Sequence, residues 1–220
     1  MSKIPIYFIP GLAAGPEIFE NLRLPNSVYD LHYLQWKMPL DQEETIANYA
    51  KRMCEDILHK NPVLIGVSFG GIMALEMSQY ITTKKVIIIS SVKDKNELPK
   101  RFQLASFTKI YKLFPSKIVA NLEDYTKFFL GKSLKKRAAL YKKYLSVRDR
   151  SYLHWSIYNV INWNGVIKTP KNLVHIHGTD DKVFPLKNIS NCVVVEGGTH
   201  VMILRKSKTI TKHIHESLIF

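Results

Sequence analysis

The segment that decides the fold is a serine flanked by glycines, between two apolar stretches. It reads Gly66-Val67-Ser68-Phe69-Gly70. The apolar run Val63–Ile65 precedes it and a helix-like stretch, 71–77, follows it. A strand, G-x-S-x-G and a helix in this order favour a sharp turn that lifts the serine hydroxyl above the end of a sheet, and the flanking glycines let strand and helix approach closely. The pattern therefore predicts a nucleophilic serine at position 68.

Apolar runs elsewhere in the chain indicate further strands. The strong runs are Ile4–Ile9, Val63–Val67, Val86–Ser90 and Leu173–His177, and the weaker ones are Asp30–Gln35 and Cys192–Glu196. Runs rich in Val and Ile, without alternation of polar residues, are typical of a parallel sheet covered by helices on both faces. Helical patterns alternate with these runs, at Pro16–Leu22, Glu43–His59, Phe69–Tyr80 and Val201–Leu218. We therefore predict an α/β fold with a doubly wound, mainly parallel sheet.

One interval is too long for a simple crossover between strands. About eighty residues separate the strand that ends at Ser90 from the strand that starts at Leu173, far more than one crossover helix needs. We predict that residues 1–91 and 166–220 form the core. Residues 92–165 are then expected to form a crossover helix and a helical cap over the carboxyl edge of the sheet.

The positive charge is concentrated in that interval. Sixteen Lys or Arg and five Asp or Glu lie between Lys93 and Arg150, so +11 of the net charge of +14 falls there. Its aromatic residues recur at helical spacing with apolar ones, as on a packed helical face. This favours a solvated basic face on the insertion, with attraction of anionic substrates or of an anionic membrane surface as the alternative. Nucleic-acid binding is disfavoured, because such proteins interleave charge with exposed aromatics along a groove.

Composition and length indicate an ordinary globular chain. The 220 residues are 46% hydrophobic and 23% charged, which suits one domain with a large core. The N-terminal apolar run is too short and too broken by proline for a signal peptide, and no run reaches membrane-spanning length. We interpret the two cysteines, Cys54 and Cys192, as reduced core residues. The expected localisation is cytoplasmic.

A carboxylate and a histidine follow the last two predicted strands. Residues 178–185, which contain Asp180 and Asp181, come after the strand 173–177, and Glu196–His200 follows the strand 193–195. Parallel strands bring their carboxyl ends to one sheet edge, so these loops are expected near Ser68. The order Ser, Asp, His is that of one class of serine hydrolases, in which the histidine takes the serine proton and the carboxylate orients the histidine.

Together these motifs resemble the α/β-hydrolase fold, in particular small bacterial esterases with a helical cap. The resemblance covers essentially the whole chain except the cap. His177–Pro185 matches the family's acid loop, H-G-x-x-D-x-x-x-P, and the run Gly197–His200 matches its histidine loop. The resemblance implies Ser68, Asp181 and His200 as the catalytic residues, with Asp180 as the competing acid, and no cofactor or metal.

The resemblance also implies an oxyanion hole made of two backbone N–H groups, those of Leu12 and Phe69. The family's first loop usually reads H-G-x, but here it is Pro10-Gly11-Leu12. A backbone donor survives the loss of that histidine, although the proline weakens any inference about the substrate.

Several readings stay open at this point. The expected function is cleavage of a carboxylic ester or thioester through an acyl-enzyme, and the same triad serves acyltransferases and lyases on this fold. A non-catalytic binding protein on the same scaffold is the third alternative. Asp94 is a minor candidate for the acid. His175 and His177 share a face of one strand, but without a third ligand in the pattern we interpret them as buried structural histidines.

Overall fold

The structure is a computed structural model, and it describes residues 2–102, 104 and 143–219. Its centre is a parallel sheet of six strands in the order β2-β1-β3-β4-β5-β6. The strands are β1 (Ile4–Ile9), β2 (Tyr29–Tyr33), β3 (Val63–Val67), β4 (Lys85–Ile89), β5 (Leu173–Gly178) and β6 (Val193–Val195). All five strand pairs are parallel, which confirms the predicted fold class.

Alternate strand residues enter two hydrophobic cores, one on each face of the sheet. In β1, Tyr7 and Ile9 contribute to one core while Ile6 and Phe8 contribute to the other. β4 divides in the same way. Because both faces are buried, the strands lack polar alternation, and this is the physical reason that they appear in the sequence as continuous apolar runs.

The helices divide between the two faces. They are α1 (Ile46–Cys54), α2 (Phe69–Met77), α3 (Arg150–Asn162), α4 (Met202–Arg205) and α5 (Ser207–Ile219). Residues of α1, α2 and α3 belong to the first core, and residues of α4 and α5 belong to the second. Among the residues described, no helix is both long and apolar enough to span a bilayer.

Some helices are shorter than the sequence patterns predict. α1 begins only after Thr45, whose side chain accepts a hydrogen bond from the Asn48 N–H and so caps the helix. The segment Pro16–Phe19 forms one turn of 3-10 helix rather than an α-helix. The C-terminal pattern is interrupted at Lys206 and gives two helices. The break at Lys206 falls inside the predicted pattern, at a residue whose backbone angles, φ −115° and ψ 27°, are not helical.

The predicted cap falls largely on residues 105–142, which lie outside the described residues. Helix α3 is its one long described element, and it packs on the first core through Tyr152 and Trp155. α3 thus lies on the same face of the sheet as α1 and α2 and precedes β5 in the chain. The division of the chain into a core and a cap stays a prediction.

Candidate active site

Ser68 lies on a strained turn between β3 and α2. Its backbone angles are φ 54° and ψ −119°, a region that residues with a side chain rarely adopt and that costs about 1–3 kcal/mol. A Cβ atom on Gly66 would lie 2.0 Å from the Gly70 carbonyl oxygen, and one on Gly70 would lie 2.2 Å from the Ile9 carbonyl oxygen. The G-x-S-x-G spacing is thus a steric requirement of this turn.

The backbone of the turn is held on both sides. The Ser68 N–H donates to the Ile89 carbonyl at 2.9 Å, and the Ser91 hydroxyl donates to the Ser68 carbonyl at 2.7 Å. Sequence reasoning missed Ser91. Its position directly after β4, at the same sheet edge as Ser68, was the available signal.

The loops after β5 and β6 interlock. A Cβ atom on Gly178 would lie 2.1 Å from the Gly198 carbonyl oxygen, so the two loops touch through glycine backbone. That same carbonyl accepts a hydrogen bond from the Asp180 N–H at 2.9 Å. The contact fixes the position of Asp181 relative to His200.

Three side chains predicted from the sequence form a hydrogen-bonded chain. His200 Nδ1 lies 2.9 Å from Asp181 Oδ2, and His200 Nε2 lies 2.9 Å from Ser68 Oγ. An ionised carboxylate only accepts, so Nδ1 must carry a hydrogen; in a neutral imidazole Nε2 is then free to accept the Ser68 hydroxyl proton. The geometry is that of a general base aimed at a nucleophile.

Asp181 is only 3% exposed, and its second oxygen is also satisfied. Oδ1 accepts hydrogen bonds from the N–H groups of Val183 and Phe184 at 2.8 and 2.9 Å. Burial by itself raises the pKa of this carboxyl, but His200 and the Phe184 N–H outweigh burial and hold the pKa below its usual value. The carboxylate is therefore charged at neutral pH.

The competing acids lie elsewhere. Asp180 is exposed and its carboxylate accepts a hydrogen bond from the Thr179 hydroxyl. Asp94 caps a short 3-10 turn by accepting from the Asn96 N–H. Of the three aspartates, Asp181 is the one that the structure brings to His200.

The two histidines of β5 are buried beside Asp181. The Phe184 carbonyl, 2.8 Å from His177 Nε2, can only accept, so this nitrogen carries a hydrogen. Burial is the main cause that lowers the pKa of His177, and the neutral ring faces His175 Nε2 across 3.1 Å. His177 Nε2 also lies 3.6 Å from Asp181 Oδ2, a contact that the sequence did not predict.

His175 makes the folded state sensitive to acid. Burial is the main cause that lowers its pKa to about 3, and the positive charge of Lys93 acts in the same direction; the pKa is about 6.5 in an unfolded chain. Between those pH values the unfolded chain binds a proton that the folded chain does not. Stability is therefore full above the unfolded pKa and falls on acidification, by at most about 1.4 kcal/mol per pH unit.

We expect His175→Gln to flatten this dependence. The free energy of unfolding should be measured by urea denaturation between about pH 6.5 and about pH 4.5, where the unfolded chain protonates this histidine and the folded chain does not. It should decline less steeply with falling pH in the variant than in the wild type. Equal slopes for the two proteins would contradict the assignment of a neutral buried histidine.

Two backbone N–H groups next to Ser68 are candidates for an oxyanion hole. Phe69 is the first residue of α2, where N–H groups have no partner within the helix and the helix dipole is positive. The Gly11 carbonyl accepts from the Ala14 N–H and from Trp36 Nε1, both at 3.0 Å. In a trans peptide the N–H points opposite to the carbonyl, so these two bonds also orient the Leu12 N–H.

Trp36 connects this loop to the nucleophile turn. Its ring stacks on Phe69 with centroids 5.2 Å apart, and Tyr152 of α3 lies 5.6 Å from it on another side. Trp36 is half-buried and leaves an apolar surface next to Gly11. The sequence analysis did not select it, although its place just after β2 puts it at the carboxyl edge of the sheet.

Solved structures match this chain over nearly its whole length. No protein-family model matches it, and no curated protein is significantly similar to it. MenH from S. aureus superposes with a TM-score of 0.74 at 14% identity, over 99% of this chain and 94% of that chain. An esterase from Exiguobacterium antarcticum gives 0.72 at 17% identity, over 100% and 93%. The enol-lactonase from Burkholderia xenovorans LB400 gives 0.68 at 12%, over 100% and 93%.

The TM-scores establish a shared architecture, whereas identities this low leave the activity open. The superpositions cover nearly the full length of this chain and of those structures. The chain has the α/β-hydrolase fold.

Proposed function

We propose that this protein is a serine hydrolase that cleaves a carboxylic ester or thioester through an acyl-enzyme. The observation that carries the proposal is the chain of two 2.9 Å contacts from Asp181 through His200 to Ser68, with Ser68 on a strained turn. Each member has the partner that its role requires.

The proposed reaction has two halves. His200 Nε2 takes the proton of Ser68 as Oγ attacks the substrate carbonyl, and the imidazolium then gives that proton to the departing alcohol or thiol. Water next attacks the acyl-serine ester, with His200 again as the base, and releases the carboxylic acid and the free serine. Asp181 stays ionised throughout and stabilises the imidazolium.

Preorganised N–H groups would stabilise the tetrahedral oxyanion of both halves. The proposed donors are Leu12 and Phe69, whose N–H groups donate to no acceptor within residues 2–102, 104 and 143–219. An oxyanion donor of this kind contributes about 10²–10³-fold to kcat in other enzymes.

An apolar side chain next to the site supports a substrate with an apolar group. Phe69 and Tyr152 are buried, but Trp36, whose ring packs on both, is half-buried and donates a hydrogen bond to the Gly11 carbonyl. Burying apolar surface against the Trp36 ring contributes about 25 cal/mol per Å². We therefore propose a small-molecule ester or thioester whose acyl or alcohol part is hydrophobic.

A fluorophosphonate probe tests the proposal directly. The wild-type protein should become covalently labelled, with the probe on the peptide that contains Ser68, and should hydrolyse p-nitrophenyl esters of graded chain length. Heat-denatured protein is the control, because activation of the serine depends on the folded triad. A folded protein that takes up no label would support the binding-protein alternative and contradict the proposal.

Product analysis separates hydrolysis from the acyltransferase and lyase alternatives. With an alcohol acceptor added, a hydrolase should still release mainly the free acid, whereas a transferase should form a new ester. No described contact of the site favours transfer or elimination over hydrolysis.

Three further expectations stay predictions. Docking of the basic stretch Lys93–Arg150 to an anionic membrane concerns mainly residues outside the described ones. The cytoplasmic localisation is an inference from the sequence. The assignment of residues 92–165 to a cap has the same standing.

A further inference from the structure

Two histidines and an aspartate that take no part in the proposed reaction converge at the edge of the sheet. Asp30 and His32 belong to the edge strand β2, and His59 lies in the loop between α1 and β3. One potential ligand atom from each falls within 4.8 Å of the others, the one group of this kind among the described residues. Asp30 Oδ2 lies 2.8 Å from His32 Nε2 and 3.6 Å from His59 Nε2.

The strand geometry explains why the first two meet. Asp30 and His32 are two residues apart, so their side chains lie on the same face of β2. The register pairs His32 with Tyr7 of β1, and the two rings stack with centroids 4.6 Å apart. The ring of His32 is thus held in place by packing.

Tyr7 also orients the third member. Its hydroxyl oxygen lies 2.7 Å from His59 Nδ1 and accepts a hydrogen bond from the Leu58 N–H at 3.0 Å. In the tautomer where Nδ1–H donates to Tyr7, His59 Nε2 keeps its lone pair and faces Asp30. A histidine ligand held through its other ring nitrogen is the usual arrangement at metal centres.

The donor set and its spacing suit a divalent transition metal. Imidazole nitrogens and a carboxylate oxygen are ligands that Zn²⁺ prefers, and Zn–N distances of about 2.0–2.1 Å put tetrahedral ligands roughly 3.3 Å apart. The separations of 2.8 and 3.6 Å lie on either side of that value. Half-exposed side chains leave room for water as a further ligand.

The charges around Asp30 are mixed. A carboxylate only accepts hydrogen bonds, so His32 Nε2 carries the hydrogen of its 2.8 Å contact with Asp30. A metal ion would take the place of this hydrogen, with the His32 ring changing to its other tautomer. The ammonium of Lys3 acts on the Asp30 carboxylate, so one positive charge opposes a bound cation.

We propose that Asp30, His32 and His59 form a surface binding site for a divalent transition metal of the Zn²⁺ class, tying the edge strand β2 to the loop before β3. The site is separate from the triad: His59 precedes β3 whereas Ser68 follows it, and a five-residue strand spans roughly 16 Å. The proposal does not depend on the proposed hydrolase activity.

Titration calorimetry with ZnCl₂ alone tests it, using the full chain without a polyhistidine tag, stripped with EDTA, at a pH where free imidazoles are neutral. We expect one Zn²⁺ per chain at this site. His32→Gln and His59→Gln should each weaken binding at least about tenfold, and Tyr7→Phe about tenfold through loss of orientation. Zn²⁺ should raise the melting temperature of the wild type but not of the two histidine variants.

His213→Gln is the matched control, because His213 lies 3.5 Å from the Glu216 carboxylate but belongs to no group of three ligands among the described residues. It should bind Zn²⁺ like the wild type. Melting curves in EDTA check that each variant folds. If a histidine variant does not fold, Asp30→Asn takes its place and should likewise bind Zn²⁺ more weakly than the wild type. Absence of Zn²⁺ binding by the wild type, or undiminished affinity in both histidine variants, would overturn the proposal.

Discussion

Replacing Ser68 with alanine is expected to lower kcat for p-nitrophenyl ester hydrolysis by about 10⁴–10⁶-fold, as loss of the nucleophile does in enzymes with a Ser-His-Asp triad. The reason is that His200 Nε2, 2.9 Å from Ser68 Oγ, would keep its position but have no hydroxyl to deprotonate. KM should change little if the Trp36 ring binds the apolar part of the substrate. Steady-state kinetics with an active-site concentration from fluorophosphonate labelling of the wild type gives both constants.

Ser217→Ala is a suitable control for that variant. Ser217 lies on α5, on the opposite face of the sheet from α2, where its hydroxyl donates to the Ile214 carbonyl. It should retain wild-type kcat. Melting curves would check that Ser68→Ala is folded, since its backbone must keep the strained turn. Turnover in Ser68→Ala equal to that of the wild type would end the proposed mechanism.

Asp181→Asn is expected to lower kcat by about 10⁴-fold at neutral pH, as the same change does in a serine protease. The N–H groups of Val183 and Phe184 donate to Oδ1, so the new amide should keep its oxygen there. Its NH₂ group would then face His200 Nδ1 and donate to it. That contact favours the tautomer with hydrogen on Nε2, which cannot accept the serine proton.

The adjacent aspartate provides a matched control. Asp180→Asn removes the same charge one residue away, but the Asp180 carboxylate is exposed and contacts Thr179. We expect kcat within a few-fold of the wild type, measured with the same p-nitrophenyl ester. An equal loss of activity in both variants would mean that the local charge, rather than the contact with His200, matters.

Much of the fold could be predicted because its strands are buried on both faces. Such strands are continuous apolar runs, and those of β1 and β3 were bounded correctly from the sequence. The turn at Ser68 could also be predicted, since its close backbone contacts admit only glycine at positions 66 and 70. Helix ends were less predictable: α1 starts at a cap formed by Thr45, which periodicity does not reveal.

The candidate site also has one part that follows from the sequence and one part that depends on the tertiary structure. The order of Ser68, Asp181 and His200 along parallel strands follows from the sequence, because the carboxyl ends of such strands meet at one edge of the sheet. The choice of Asp181 over Asp180 rests on resemblance alone until the interlocked loops after β5 and β6 set which carboxylate reaches His200.

The amino-acid sequence by itself determined the α/β architecture, the serine turn and the chain order of its partners, since these depend on local sterics and on burial. Only the tertiary structure decided the roles of Ser91, His177 and Trp36, and the meeting of Asp30 and His32 with His59. Those contacts join residues from separate strands and loops, and their distances depend on sheet register and packing, which no local pattern encodes.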